Sequence, residues 1–439
     1  MTDDLNPALP GAARRAFRAL GRAGTPESLA ALVDIASHRA SASGIGEVDY
    51  ALALERDPAE ALAALDVYGS LRPLERRFFE GPRAFEEVPL LVREWSAFAG
   101  ERRLTALVLG CGRGWSPVSL AASLAAAGLP ERSWAIEVNG LDVSPRALAL
   151  AGSRRYDEAD LEGFPYPRGR WFKNEAGSSR RFRDDAGVSL SYGFGDVYLP
   201  CGGVRIEQGP PVWGSRKDGR DGAGLPGPDG EAGGAVGGGG GPEIAPGEGP
   251  AAGAAAGSGF RENLLWSFRG KVDVLFARNI TREAPDERAG ALPAAVPELL
   301  REGGLCFTAP GEIWPPSANL SLEERNGVFY FRKSASKRKA NTFHTPRRGR
   351  DSGPAGRSAA LPAPDPAKYK PFTDASAAML PENPEGARGA ALEAITAASE
   401  DMLAWPPAFE ALARAEEGLG RLAFAAQIRE AMEVYGRRG

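Results

Sequence analysis

Up to about residue 103, apolar side chains recur every three or four positions in the segments 26–36, 59–67 and 85–98, with Gly and Pro between them. This period predicts a small helical N-terminal domain, residues 1–103. At Leu104 the pattern changes. Leu-Thr-Ala-Leu-Val-Leu (104–109) is a short apolar run of the kind found in a strand buried on both faces. Residues 110–114 supply a turn, and Ser116-Pro117 reads as N-cap and first residue of a helix over 118–127. The plan then repeats: a strand over 134–141, Asp142 at its end, and Ser144-Pro145 opening a helix through 151. Two strand-turn-helix units in succession predict an α/β domain with a doubly wound sheet.

Residues 272–277 read as another buried strand, 293–300 as a short helix containing Pro297, 305–308 as a strand after Gly303-Gly304, and 328–332 as the strand that closes the sheet. The α/β domain is thus expected over 104–333, with a small antiparallel subdomain over 182–206. Residues 209–259 are dominated by Gly, Ala and Pro and predict a disordered insertion within it. Residues 334–388 read as a basic and then Pro-rich linker, and 389–439 as a helical tail. Trp405-Pro-Pro, the helix at 409–417, the turn at 418–421 and the helix at 422–434 resemble one tetratricopeptide helix pair. One such pair forms no groove by itself, so packing against the α/β domain is the alternative.

Composition narrows the chemistry. With 53 basic and 57 acidic side chains there is no global field to draw nucleic acid, and the basic run 333–350 reads by default as a solvated linker. Cys111, Cys201 and Cys306 form no CxxC pair, which suits a reducing cytoplasm. No run approaches membrane-spanning length and residues 1–20 lack an apolar h-region, so a soluble, cytoplasmic protein is expected, without membrane insertion. His38 and His344 are the only imidazoles, too few for a His-based zinc site and a poor basis for a Ser-His-Asp triad; no metal is expected.

The candidate chemistry sits at the first turn. Gly110-Cys111-Gly112-Arg113-Gly114 is a G-x-G-x-G loop between strand and helix, where glycine lets the backbone approach a ligand that a Cβ would exclude. Asp142, at the end of the second strand, is placed to accept hydrogen bonds from the two ribose hydroxyls of an adenosine. A dinucleotide fingerprint wants a third glycine one residue after Gly114, and Trp115 stands there instead. That substitution argues against a pyrophosphate and for an adenosine cofactor without phosphates.

With these residues and Ala277-Arg278-Asn279, the chain from about residue 65 to 333 resembles the CheR-type methyltransferases, which methylate glutamates of chemotaxis receptors. The family's first motif, approximately G-C-S-T-G-E-E-P-Y-S, corresponds to Gly-Cys-Gly-Arg-Gly-Trp-Ser-Pro-Val-Ser (110–119), and its F-D-x-I-F-C-R-N strand to Val-Asp-Val-Leu-Phe-Ala-Arg-Asn (272–279). The Asp-Leu-Glu-Gly-Phe-Pro stretch (160–165) and Asn263-Leu264 match further segments. The resemblance implies a Rossmann-like class I methyltransferase domain between a small helical domain and C-terminal helices, with S-adenosylmethionine as cofactor. It implies that Asp142, Asn263, Leu264, Arg278 and Asn279 line the cofactor site beside Gly110, Cys111, Gly112 and Gly114, with Arg278 reaching the methionine carboxylate. It also implies a protein substrate, such as the cytoplasmic region of a chemoreceptor.

The departures are specific. The family's N-x-T-x-F-F-R stretch aligns with Leu-Glu-Arg-Arg-Phe-Phe-Glu (74–80), the tyrosine after the R-N strand falls on Glu283, and the acidic pair of the first motif is Trp115-Ser116. No residue is assigned as catalytic. Two readings follow: an active protein carboxylate methyltransferase with a diverged substrate, or a degenerate methyltransferase fold kept as a scaffold or cofactor-binding module.

Overall fold

The computed structural model describes residues 8–19, 26–42, 44–56, 64, 77–94, 102–175, 178–197, 204–205, 260–261, 263–284, 286–334, 365–401 and 404–436. The helix expected over 59–67 (apart from residue 64), the Gly-rich insertion and the basic run beyond 334 lie outside these residues. Helices α1 (Ala8–Ala19), α2 (Pro26–Ala42) and α3 (Glu47–Arg56) bury Leu9, Leu32, Tyr50 and Leu54 in a core of their own.

Most of the other described residues build a seven-stranded sheet and its two covers. In chain order the elements are α4 (Pro82–Glu94), β1 (Arg103–Leu109), α5 (Trp115–Ala126), β2 (Ala135–Asp142), α6 (Pro145–Ser153) and β3 (Arg155–Tyr156). Next come α7 (Arg168–Trp171), β4 (Phe172–Asn174), β5 (Arg180–Phe182), β6 (Ser189–Phe194), β7 (Val204–Arg205), β8 (Phe260–Arg261) and β9 (Val272–Ala277). The chain closes with α8 (Ala291–Leu299), β10 (Leu300–Thr308), β11 (Leu320–Arg325), β12 (Val328–Lys333), α9 (Lys370–Met379), α10 (Pro384–Glu400), α11 (Pro406–Gly418) and α12 (Leu422–Gly436). The sheet runs β11-β12-β10-β9-β1-β2-β6; β10, β9, β1, β2 and β6 are parallel, and β12 is antiparallel to both neighbours. This is an α/β, Rossmann-like arrangement. Strand order reverses at β1, so a crevice opens between the ends of β1 and β9, the place where open α/β sheets bind ligands.

Alternation along each strand divides the core between two faces. Ala106 and Val108 of β1 face α4 and α5, where Phe85, Phe276, Phe307 and Tyr330 stack at centroid distances of 5.0, 5.3 and 5.5 Å. Leu107 and Leu109 face the other way, toward Val296 of α8, Ile395 of α10, Phe409 of α11 and Ile428 of α12. The C-terminal helices are therefore part of the domain's core, packed on the sheet as the second of the two tail readings held.

Three expectations change. Residues 189–194 form β6, a parallel edge strand beside β2; the antiparallel subdomain is built earlier, from β3, β5 and β4. The first helix begins at Trp115, with Gly114 as its cap at φ 90°, because a left-handed glycine turns the strand straight into the helix. Ser116 is thus inside the first turn, where Pro117 is tolerated since those N–H groups have no intrahelical partner anyway. Residues 370–379 and 384–388, expected within the linker, are helical. At the second unit Ser144 caps α6 as expected, its side chain accepting from the Ala147 N–H.

Candidate functional site

Register places the candidate residues in one row. Leu109 pairs with Leu141 on one side and Ala277 on the other, and Ala277 pairs with Thr308. Asp142, the last residue of β2, and Gly110, Arg278 and Ala309, the first residues beyond β1, β9 and β10, therefore stand side by side along its C-terminal edge.

On the Gly110 side the site is made of backbone. Gly110, Gly112 and Gly114 have φ of 65°, 51° and 90°, a region costly for other residues. A Cβ on Gly114 would lie 3.0 Å from the Tyr192 hydroxyl and 3.1 Å from that of Tyr156. A Cβ on Gly140 would lie 2.8 Å from the Tyr192 ring and 3.0 Å from the Cys111 sulfur, so Cys111 can be seated only because β2 carries glycine there. Burial first, and then the Cys111 thiol, push Tyr156 and Tyr192 well above the ordinary tyrosine range, with Tyr192 adding to the shift of Tyr156. Trp115 is buried in the core beneath the loop, and the Arg113 guanidinium sits 5.1 Å from its ring centroid.

Asp142 ties the loop to β2: Oδ2 accepts from the Gly112 N–H at 2.8 Å and Oδ1 from the Ser144 N–H at 2.9 Å. A carboxylate offers about four acceptor positions, and these amides take two of them. Asn263 is buried and spends its amide on the backbone, accepting from the Asp196 N–H at 3.1 Å and donating to the Asp196 carbonyl at 2.9 Å. It staples the loop after β6. Leu264 packs against Gly193 of β6, where a Cβ would approach its Cδ1 to 2.5 Å.

On the Arg278 side the site is made of side chains. Arg278 is buried, donates to the Glu80 carbonyl and lies 5.8 Å from the Phe85 ring centroid. Gly81, at φ 67°, is held bare by it: a Cβ there would sit 2.6 Å from Arg278 Nη2. Phe79 anchors the same turn to α5, its N–H donating to Ser119 Oγ at 2.9 Å. Asn279 has a φ of 59°, and its N–H donates to the Glu312 carboxylate, which also accepts from the Thr281 N–H at 2.8 Å and the Thr281 hydroxyl at 2.6 Å. Sequence reading missed Glu312: nothing local marks a carboxylate that clamps a loop 31 residues upstream. Near it, burial first and then Glu312 push the Cys306 thiol well up.

Beyond Arg278 a small cleft opens to solvent. Its walls come from the Gly81–Ala84 turn, the ends of β9 and β10, the β11–β12 hairpin, and the C-terminal helices α10 and α11. Arg83 closes one side by donating to the Glu400 carbonyl at 2.8 Å. Among the described residues no cluster of three or more His, Cys, Asp or Glu is arranged to hold a metal ion, and no helix is long and apolar enough to cross a membrane.

The glycine loop, with its close-packed backbone and a carboxylate at the adjacent strand end, fits an adenosine-containing group without phosphates. Comparison with known proteins agrees. Residues 75–190 match the family model for the CheR methyltransferase, SAM binding domain. The chain carries a CheR-type methyltransferase domain. Its cofactor is S-adenosylmethionine. The matched CheR-type segment takes in α4, the glycine loop, Asp142 and the small antiparallel sheet, and ends within β6. No curated protein matches the chain significantly. Among solved structures, one described as "Conversion of a Disulfide Bond into a Thioacetal Group during Echinomycin Biosynthesis" aligns at 12% identity and a TM-score of 0.22, over 58% of this chain and 58% of its own.

Proposed function

We propose that this domain methylates a carboxylate oxygen of a protein substrate, a glutamate side chain, in chemotaxis-type signalling in the cytoplasm. The cleft beside Arg278 carries this reading. Its lining offers two guanidinium groups and the hydroxyls of Thr308, Thr396 and Ser399, with no histidine or cysteine, and its carboxylate, Glu400, is exposed to solvent and so suited less to removing a proton in a dry site. An acceptor entering it must already be nucleophilic at neutral pH, and glutamate, with a reference pKa of about 4.3, is. Arg278 and Arg83 favour an anion over a neutral acceptor.

S-adenosylmethionine supplies the sulfonium methyl group. In this reading the Gly110–Gly114 loop and Asp142 hold the adenosyl part, Asn263 and Leu264 fix the β6 side of the crevice, and Arg278 and Asn279 border the reacting end. Holding two reactants in near-attack geometry is worth about 7–11 kcal/mol, which removes the need for a protein base. The loss of the family's arginine at position 80 is the strongest point for a scaffold, yet the Arg278 guanidinium lies against the Glu80 carbonyl, at the same turn. That placement favours an active enzyme.

The test is transfer of labelled methyl from S-adenosylmethionine to receptor cytoplasmic fragments by the full chain. Expected is an alkali-labile label, characteristic of an ester, with kcat/KM lowered about tenfold or more in Arg278→Lys, which keeps the charge and loses the planar fork. Intact binding of S-adenosylhomocysteine without any transfer would favour the scaffold and end the proposal.

A further inference from the structure

The turn that follows β9 carries Arg278 and Asn279, and one distant carboxylate holds it. Glu312 is buried, and its oxygens accept from both sides of the turn: Oε1 from the Thr281 N–H at 2.8 Å and the Thr281 hydroxyl at 2.6 Å, Oε2 from the Asn279 N–H and from the Ala309 N–H at 3.3 Å. A carboxylate offers about four acceptor positions, so these bonds fill it and leave none for a ligand. Glu312 therefore acts through the backbone it fixes. That backbone includes Asn279 at φ 59°, a region that residues other than glycine seldom enter and keep only when their surroundings hold them there.

The C-terminal helices hold the clamp in turn. Gly311, at φ 84°, leads the chain into Glu312, and a Cβ there would lie 2.9 Å from Leu392 of α10 and closer still to Leu412 of α11. Arg421, paired with Glu416 at 3.0 Å, donates to the Thr281 carbonyl. Thr281 is thus gripped through its N–H and hydroxyl by Glu312 and through its carbonyl by Arg421.

Resting on the reading that Arg278 and Asn279 border the reacting end, we propose that Glu312 is a positioning residue for the methyl-bearing end of the cofactor site. It touches neither cofactor nor acceptor; it sets the turn that presents Arg278 and Asn279, with Thr281 and Arg421 completing the grip. Glu312, Thr281 and Arg421 all lie outside residues 75–190, so this end is aligned by parts of the chain beyond the segment matched by the family model. A misplacement of about 1 Å caused far from the chemistry can lower a rate about 100-fold, which is the scale open to such a residue.

The experiment compares binding of S-adenosylmethionine and S-adenosylhomocysteine to the full chain by calorimetry. The two ligands differ only in the sulfonium methyl group and its charge, so the ratio of their affinities reports the reacting end. Glu312→Gln, which sets an amide NH2 against backbone N–H donors, is expected to move that ratio about fivefold or more while S-adenosylhomocysteine affinity changes less than about threefold. Thr281→Val, which removes one donor, is expected to move it the same way by less, and Thr281→Ser, which keeps the hydroxyl, to restore the parent ratio. If Glu312→Gln does not fold, the Thr281 pair carries the test. An unchanged ratio in the folded variant, or both affinities falling in step, assigns the clamp to stability alone and overturns the proposal. Methyl transfer to receptor fragments is measured in parallel, with kcat expected to fall about 100-fold in Glu312→Gln and the KM for S-adenosylmethionine little changed. A shifted ratio in a chain whose parent transfers no methyl group leaves the positioning role standing and ends the carboxylate methyltransferase reading. Transfer by the parent with an unchanged ratio in the variant ends the positioning role alone.

Discussion

The two halves of the sheet's C-terminal edge are built by different means. The Asp142 half is assembled from residues 110–144, almost wholly from backbone: three left-handed glycines and one carboxylate that accepts two main-chain amides. The Arg278 half draws on the Gly81 turn, Glu312, the β11–β12 hairpin and helices from the far end of the chain. The first half is a local device any chain with that loop can carry. The second exists only once distant segments have packed, so its geometry is tied to the stability of the C-terminal helices. A loop fixed by its own hydrogen bonds keeps a common cofactor; a cleft walled by later additions is free to change its acceptor.

The largest effect expected from breaking this division is at Glu416. Its carboxylate lies between Arg388 (2.7 Å) and Arg421 (3.0 Å), all three largely buried, and Arg421 also donates to the Thr281 carbonyl beside Asn279. Glu416→Ala takes the nearest carboxylate from two buried guanidinium groups, leaving Arg388 with Glu385 at 4.0 Å, at a cost of about 3–5 kcal/mol. Denaturant unfolding measures it. If the Arg278 half depends on these helices, acceptor binding falls further than cofactor binding in the folded fraction. A loss under about 1 kcal/mol would mean that the C-terminal helices are not coupled to the site.

Asp142→Ala tests the other half. Hydrogen bonds to a charged group are worth about 1.5–3 kcal/mol each, and two amides lose their acceptor, so S-adenosylhomocysteine affinity is expected to fall about 100-fold or more by calorimetry. Acceptor peptides should bind the folded variant with little change, since the cleft shares no residue with the loop. Equal losses for both ligands would show the two halves to be one unit.

A smaller effect is expected at the Gly81 turn. Gly81→Ala places a Cβ in the left-handed region, a cost of about 1–2 kcal/mol, and against Arg278. Methyl transfer is expected to fall about tenfold while cofactor affinity changes less, because the displaced guanidinium faces the cleft and not the glycine loop. Cofactor affinity falling in step with transfer would instead place Arg278 on the methionine carboxylate.

The same division decides what could be read from sequence. The apolar runs of β1, β2 and β9 and the glycine loop are short-range signals with a steric cause, and the structure follows them closely. Ser144 was legible as a cap because its side chain bonds an amide three residues on. Asn263 was legible only as a matched position; that it would spend its amide on Asp196 depends on where the loop after β6 falls. Glu312 and the cleft walls gave no signal, because their partners are set by tertiary packing. The Ser116 cap was misplaced since the left-handed geometry of Gly114, which starts the helix two residues early, is permitted but not dictated by glycine.

The smallest effect sharpens the comparison through pH. Asp401, which follows α10 at the rim of the cleft, accepts from Lys368 Nζ at 2.7 Å and from the Tyr369 hydroxyl. The Lys368 bond first, then Tyr369, hold its carboxyl below the usual range, while burial and then Asp401 push Tyr369 up to about 12. A depressed carboxyl contributes stability above its unfolded value, about 3.9, and loses it as pH falls through the folded value. The raised tyrosine contributes below its unfolded value, about 10, and loses it as pH rises through 12. The clamp on α9 and α10 is therefore whole between about pH 4 and pH 10. Asp401→Asn is expected to lower the melting temperature slightly in that window, with the difference from the parent closing in acid and shrinking in high salt, as a half-exposed ion pair should. A difference that persists at the lowest pH would assign the effect to the hydrogen bond with Tyr369 and not to charge. In that case the rim of the acceptor cleft would be held by a neutral contact, whereas the glycine loop hangs on the Asp142 carboxylate, and the contrast between the two halves would extend to the kind of bond that fixes each.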